Sequence, residues 1–293
     1  MPVLIDIRRR IKSVRNTQQI TQAMKTVSTA KFRKAQRILL ESRTWWHALP
    51  LFLSQVFFWA RKEEHPLLQK REERKVEAVV ITSDKGLAGA FNSCLLAEAL
   101  SFAEKKARQA EVRLVLMGKK AASFFRKHPF AVDRAYSDKT HKLTVEDLNE
   151  LAQFLARLYV FHKVDSVYVV YNEFKSILSP RITVAKLLPL EIPERSEEKL
   201  VLPPDWEPEA RALLDVLLPL YVESQIRHFY FESSAAEQAA RMMAMDNATD
   251  NAEELIRKLT LVLNKVRQAS ITKELLEIMT CLLYTSPSPR DRQ

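Results

Sequence analysis

Chemistry in a chain of 293 residues would begin with nucleophiles, bases or metal ligands, and here these are scattered. The six histidines, His47, His65, His128, His141, His162 and His228, never stand at metal-ligand spacing from one another or from Cys94 and Cys281. No Gly-x-Ser-x-Gly elbow or His-Glu-x-x-His motif occurs. Acidic pairs such as Glu63-Glu64 and Glu253-Glu254 read as solvated charge on a linker and a helix. One stretch has the form of a ligand loop: residues 82–92, Thr-Ser-Asp-Lys-Gly-Leu-Ala-Gly-Ala-Phe-Asn. Gly86 and Gly89 at a strand-to-helix turn would let backbone amides approach a phosphate. The same glycines also make the turn with no ligand bound, and the pattern is neither Gly-x-Gly-x-x-Gly nor a P-loop, for which Lys85 is misplaced. No constellation for acid-base or nucleophilic catalysis is present. The expectation is a non-catalytic chain with no cofactor and no metal.

The elements that frame this loop follow from glycine and charge. Only three glycines occur, Gly86, Gly89 and Gly118, all in the middle of the chain, so glycine-free flanks predict long terminal helices around a turn-rich centre. Within residues 1–43 stand eleven basic residues, Arg8, Arg9, Arg10, Lys12, Arg15, Lys25, Lys31, Arg33, Lys34, Arg37 and Arg43, against Asp6 and Glu41. That excess is almost the whole formal charge of +10. Ile7, Ile11 and Val14, then Ile20, Met24 and Val27, recur at helical spacing and predict a narrow apolar seam. The helix is expected to run on through Trp45, Trp46, Phe52, Val56, Phe57 and Trp59, with Pro50 permitting a bend. That aromatic patch would pack the helix on the central domain.

The expected plan is α/β: an antiparallel coiled coil of N- and C-terminal helices plus a central doubly wound, Rossmann-like domain. Residues 1–60 form the first helix, 61–75 a charged linker and 76–190 the α/β domain. Strands are expected at 76–81, 112–117, 167–171 and 182–190. Helices are expected at 92–108, 119–127 and 144–162, the last opened by the Thr144 to Asp147 capping pattern. Residues 191–208, with Pro193, Pro203, Pro204 and Pro208, form a second linker. Residues 209–280 form the last helix, which would be roughly 110 Å long at 1.5 Å per residue. Leu255, Leu259, Val262, Val266 and Ala269 step at heptad spacing, and Ala235, Ala236, Ala239, Ala240 and Ala244 would allow close helix approach. This helix is slightly acidic where the first is strongly basic.

Charge alone admits two readings, a protein-facing or solvated shaft and a basic coiled coil that binds nucleic acid. Against the second, no aromatic residue interleaves the charges before Phe32, and no zinc, homeodomain or RNA-recognition motif follows. The longest apolar run, 49–60, is too short to cross a bilayer, which takes about 20 residues, so any work at a membrane would be done through partners.

Three stretches carry a resemblance. They are Arg-Asn-Thr-Gln-Gln-Ile-Thr-Gln-Ala-Met-Lys at 15–25, Ser-Asp-Lys-Gly-Leu at 83–87, and the last helix. That helix holds Glu-Ser-Ser-Ala-Ala-Glu-Gln-Ala-Ala-Arg-Met-Met-Ala-Met from Glu232 and Asn-Lys-Val-Arg-Gln-Ala-Ser-Ile-Thr-Lys-Glu-Leu from Asn264. In this order, over about residues 2–279, the chain resembles the gamma subunits of F-type ATP synthases. The resemblance implies the central rotor shaft, which couples rotation of the membrane c-ring to cycling of the catalytic beta subunits during ATP synthesis or hydrolysis. It implies three alpha and three beta subunits, an epsilon subunit and the c-ring as partners, with no nucleic acid, and contacts with beta at Arg267, Gln268 and Thr272. It further implies beta contacts at Arg8, Arg9, Arg33 and Lys34, and a close approach of Met24 to a beta lever. A peripheral place on the cytoplasmic side of a bacterial cell membrane is expected, since no presequence is evident. Residues 281–293, ending Ser-Pro-Ser-Pro-Arg-Asp-Arg-Gln, depart from the family pattern and are expected to be a foreign or frame-shifted terminus.

Overall fold

The computed structural model describes residues 2–59, 65–137, 143–176, 181–191 and 210–285. Most of the second expected linker, 192–208, and the last eight residues of the expected tail lie outside them, as do residues 60–64. The described chain forms two compact units, Val27–Ala244 and the pair of segments Met1–Thr26 and Met245–Gln293. Two elements contribute to both: α1, Pro2–Trp59, a single helix with Pro50 inside it, and α5, Ala210–Thr285, with Pro219 inside it.

In the first unit a five-stranded sheet is built from β1 (Lys75–Ile81), β2 (Glu111–Met117), β3 (Ala131–Tyr136), β4 (Ser166–Glu173) and β5 (Arg181–Leu188). Their spatial order is β3-β2-β1-β4-β5, parallel except for the antiparallel β4–β5 pair. Helices α2 (Phe91–Ala107), α3 (Lys119–Phe125) and α4 (Val145–Val160) connect them. With both faces of the sheet covered, the central strands read as apolar runs. Val76, Ala78 and Val80 meet Leu95, Leu96, Ala99 and Ala103 of α2 with Ala121 and Phe125 of α3. The opposite face, with Val79, Ile81, Val167 and Val169, meets Leu148, Leu151 and Leu155 of α4, Leu49, Leu53 and Val56 of α1, and Leu214, Leu218 and Val222 of α5.

The expected strands and helices lie where the pattern put them, and the Thr144–Asp147 capping box forms in both directions. Strand β3 was not expected. Its Asp133 and Arg134 break the apolar alternation, because it is an edge strand whose charges are answered locally by Arg113 and Glu150. The aromatic patch on α1 also divides. Val56 and Phe57 join the core, and Trp46 meets His228 edge-on at 4.3 Å. Trp45 and Phe52 stay exposed, and the buried residues beside them are Leu49 and Leu53.

In the second unit two helical segments run antiparallel: Lys25 pairs with Asp246, and the hydroxyls of Thr21 and Thr249 meet at 2.8 Å. Continuing that register brings Gln18, Val14, Ile11, Ile7 and Leu4 level with Ala252, Ile256, Leu259, Leu263 and Val266. These are the buried or half-buried residues of the two segments. The coiled-coil spacing is therefore present, but its line differs from the expected one. Leu259 and Val266 belong to it, whereas Leu255, Val262 and Ala269 are exposed and Ile256 and Leu263 take the inward positions. On α1 the inward line turns polar after Val14, and Ile20 and Val27 are 60% and 56% exposed.

Candidate functional site

Among the described residues no cleft gathers the contact residues singled out from the sequence; they lie on exposed or half-buried helix faces. Within the helix-pair unit, Arg8 and Arg9 are exposed on the outer side of the seam residue Ile7. Arg267 and Gln268 are exposed next to Val266. Thr272 is exposed one turn further on, its hydroxyl bonded back to the Gln268 carbonyl at 3.0 Å. Met24 is half-buried beside the Lys25–Asp246 pair. The antiparallel register sets Arg267 near the level of Leu4 and Arg8 near that of Val262, so the unit brings these arginines onto one short length of helix pair. Arg33 and Lys34 belong to the sheet-backed unit, where they are exposed directly after the buried Phe32.

Beyond the level of Pro2, where α1 begins, α5 continues to Thr285, and every residue from 271 to 281 is exposed. Ile271, Leu275, Leu276, Ile278 and Met279 all lie there. Over this length the helix therefore carries exposed apolar side chains that no seam among the described residues buries.

In the sheet-backed unit the glycine loop is fixed from within. The Ser83 N–H donates to Asn92 Oδ1 at 3.1 Å, Ser83 Oγ accepts from Asn92 Nδ2 at 2.8 Å, and Ser83 Oγ lies 2.7 Å from the Lys85 carbonyl. Leu87 and Gly89 take left-handed φ values of 63° and 56°. At the neighbouring strand end Gly118 has φ 99°, and a Cβ there would sit 2.4 Å from the Thr82 carbonyl oxygen, so only glycine fits. Ala88 and Phe91 pack on Ala236 and Ala240 of α5, and Arg241 faces the carbonyls of Lys85 and Gly86. These two carbonyls are turned to a cation within the chain, which favours the turn-forming reading of the loop over the phosphate-binding one.

Two carboxylates in this unit are strongly perturbed. Glu73 is partly buried, which works against its charge, but hydrogen bonds from Lys106, Tyr168 and Lys186 hold it down at about 2. Glu77, fully buried on β1, is pushed up to about 8 by burial, with repulsion from Asp133 adding to it and Arg113 opposing it. Among the described residues neither carboxyl oxygen of Glu77 has a hydrogen-bond partner. Sequence reading missed Glu77, although a lone acid inside an otherwise apolar strand is a visible signal. It missed Arg241 as well, whose signal is its spacing of four from Glu237.

Among the described residues no group of three His, Cys, Asp or Glu side chains could hold a metal ion. No helix among them is long and apolar enough to cross a membrane.

A family model described as ATP synthase matches residues 3–282. The ATP synthase gamma chain of Pelotomaculum thermopropionicum is 43% identical over 279 residues, covering 95% of this chain and 98% of the relative. That of Solibacter usitatus is 45% identical over 287 residues, covering 96% and 98%. Among solved structures, a chain of the Euglena gracilis mitochondrial ATP synthase superposes with a TM-score of 0.65 at 17% identity, covering 98% of both chains. A chain from the central stalk and c-ring of the Tetrahymena thermophila mitochondrial ATP synthase gives 0.61 at 24% identity, covering 78% of this chain and 99% of that one.

Proposed function

Because this chain belongs to the ATP synthase gamma-chain family, we propose that it works as the rotating central stalk of an F-type, proton-translocating ATP synthase. In this role it has no active site of its own. It transmits rotation of a membrane c-ring to a hexamer of three alpha and three beta subunits, with epsilon beside it, on the cytoplasmic side of a bacterial cell membrane. The chain reaches the membrane through these partners.

The observation that carries this reading is the helix-pair unit. Its seam is thin, its outer surface combines exposed arginines with exposed apolar side chains, and its two helices differ in charge. A body turning inside three equivalent neighbours does work on them only if it offers each a different interaction free energy at each angle. A basic helix beside a slightly acidic one provides that difference through charge-assisted contacts, for which Arg8, Arg9, Arg33, Lys34, Arg267, Gln268 and Thr272 are the donors toward beta. Met24 supplies a close apolar approach. The nucleic-acid alternative draws no support from the relatives or the fold.

Co-expression of the tagged full chain with the alpha and beta subunits of the same organism tests the reading. Native mass spectrometry is expected to find one copy of the chain with three of each partner, in a complex that hydrolyses ATP. Recovery of the chain without either partner would overturn it.

A further inference from the structure

Along one face of α5, successive turns grip the end of the parallel sheet where its loops emerge. Glu232 accepts a hydrogen bond from the Phe174 N–H at 2.5 Å, and Ala236 and Ala240 pack on Ala88 and Phe91. Next comes Arg241, only 8% exposed. One nitrogen of its guanidinium, Nη2, pairs with Glu237 at 2.7 Å and lies 3.3 Å from the Lys85 carbonyl, while Nε lies 3.4 Å from the Gly86 carbonyl. One planar cation thus joins two successive loop carbonyls to the helix.

The stability of the fold does not require a charge here, since a buried ion pair can often be replaced by apolar groups of similar volume at no loss. Geometry is what the pair adds. Leu214, Leu218 and Val222 lock the earlier turns of α5 into the core, but at this later stretch the alanine contacts are short and non-directional, so by themselves they would let this part of the helix twist about its axis. A planar fork bonded to two carbonyls at once, and held by a carboxylate one turn earlier, fixes that angle. We propose that Arg241, oriented by Glu237, is a positioning residue that sets the rotational angle of α5 against the sheet, so that torque in the helix passes into the α/β domain without slip. This rests on the stalk reading above.

The test uses the complete ATP synthase containing this chain, reconstituted in vesicles, with Cys94 and Cys281 replaced by serine. The variant E237Q/R241L removes both charges while keeping apolar volume, so the complex is expected to assemble and melt as the parent does. Amide exchange at residues 83–89 should quicken about tenfold, the loss of roughly one charge-assisted hydrogen bond, and most of the protons pumped per ATP hydrolysed should be lost. A covalent replacement for the joint is available. A Cβ built at Gly89 lies 3.8 Å from the Cβ of Ala244, within disulfide range. Adding G89C and A244C to E237Q/R241L should restore pumping when oxidised and lose it when reduced. The strain of a side chain at Gly89 is common to both redox states and cancels. Unchanged pumping in the assembled E237Q/R241L complex would overturn the proposal. So would failure of the formed disulfide to restore pumping, which would mean that Arg241 acts on another subunit. Failure of the parent complex to assemble or pump would instead count against the stalk reading itself.

Discussion

In the sheet-backed unit the side chains of Leu155, Tyr159, Val167 and Leu188 are completely buried, whereas across the helix pair the facing residues include Gln18, Thr21 and Thr249 beside half-buried Ile256 and Leu263. The first unit closes a core of its own, although Trp45, Leu51, Leu87 and Phe161 stay exposed. The second leaves many of them outside, among them Ile5, Ile20, Leu261, Leu275 and Met279. Hydrophobic residues that a unit does not bury for itself are available for a partner to bury. Under the proposed function the two units carry different obligations: one holds its shape alone, while the other would present unlike faces to its neighbours.

The largest effect should come from cutting into the self-sufficient core. Leu155→Ala, at a position on α4 with no exposure, is expected to cost about 4 kcal/mol of unfolding free energy, the transfer term plus the cavity left behind. Urea titration of the full chain reads this directly. A loss no larger than that of a half-buried seam truncation such as Ile256→Ala would break the contrast between the units.

The next effect depends on pH. Glu77 has its carboxyl raised from 4.5 to about 8 by burial and by Asp133, against Arg113, so between those values the folded chain holds a proton that the unfolded chain releases. Its contribution is fully present below pH 4.5 and is lost as pH rises through 8. From pH 5 to pH 9 this amounts to a decline of roughly 4 kcal/mol. Glu77→Gln, which is neutral throughout, should flatten that decline and be the more stable protein at pH 9. Parallel pH profiles for the parent and variant would remove Glu77 from the account.

How much of this could be read in advance depended on whether a residue's partner lies within its own element. Thr144 and Asp147 form a cap within one turn, and Val76 to Ile81 show their strand by composition alone. Ile7, Ile11 and Val14 lie on a simple helical stripe. The reading failed where apolar residues outnumber the positions one seam can bury. On α5 both Leu255-Val262 and Ile256-Leu263 have heptad spacing, and only the partner segment decides that the second pair turns inward. On α1 the assumption that apolar means inward chose Ile20 and Val27, while the pairing runs through Gln18 and Thr21. The loop at 82–92 could be read as a turn or a phosphate cradle because its deciding neighbour, Arg241, lies about 150 residues away. Edge strand β3 was hidden by Asp133 and Arg134, whose partners are on other elements.

A smaller effect is expected in the polar seam. Thr249→Val removes the hydroxyl that meets Thr21 at 2.8 Å while keeping the side-chain shape, and should weaken the helix pair by about 1 kcal/mol. Hydrogen exchange at residues 15–26 would show it as a roughly fivefold acceleration, with the sheet amides unchanged. Faster exchange throughout the sheet would mean that the units do not divide their stability as described.

The smallest effect on stability should accompany a clear effect on work. Arg8, Arg9 and Arg33 are exposed, so R8E/R9E/R33E takes no packing from either unit, and the isolated chain should melt at the parent's midpoint. In the complete complex the same reversal places negative charge where these side chains are proposed to donate to the beta subunits. Interactions that helped to drive each site from one state to the next would then oppose the step, and proton pumping per ATP hydrolysed should fall more than assembly does. The outcome turns on which quantity moves. If the melting midpoint drops and the pumping ratio holds, these arginines serve the fold, and the charge on α1 is not the face the neighbours read.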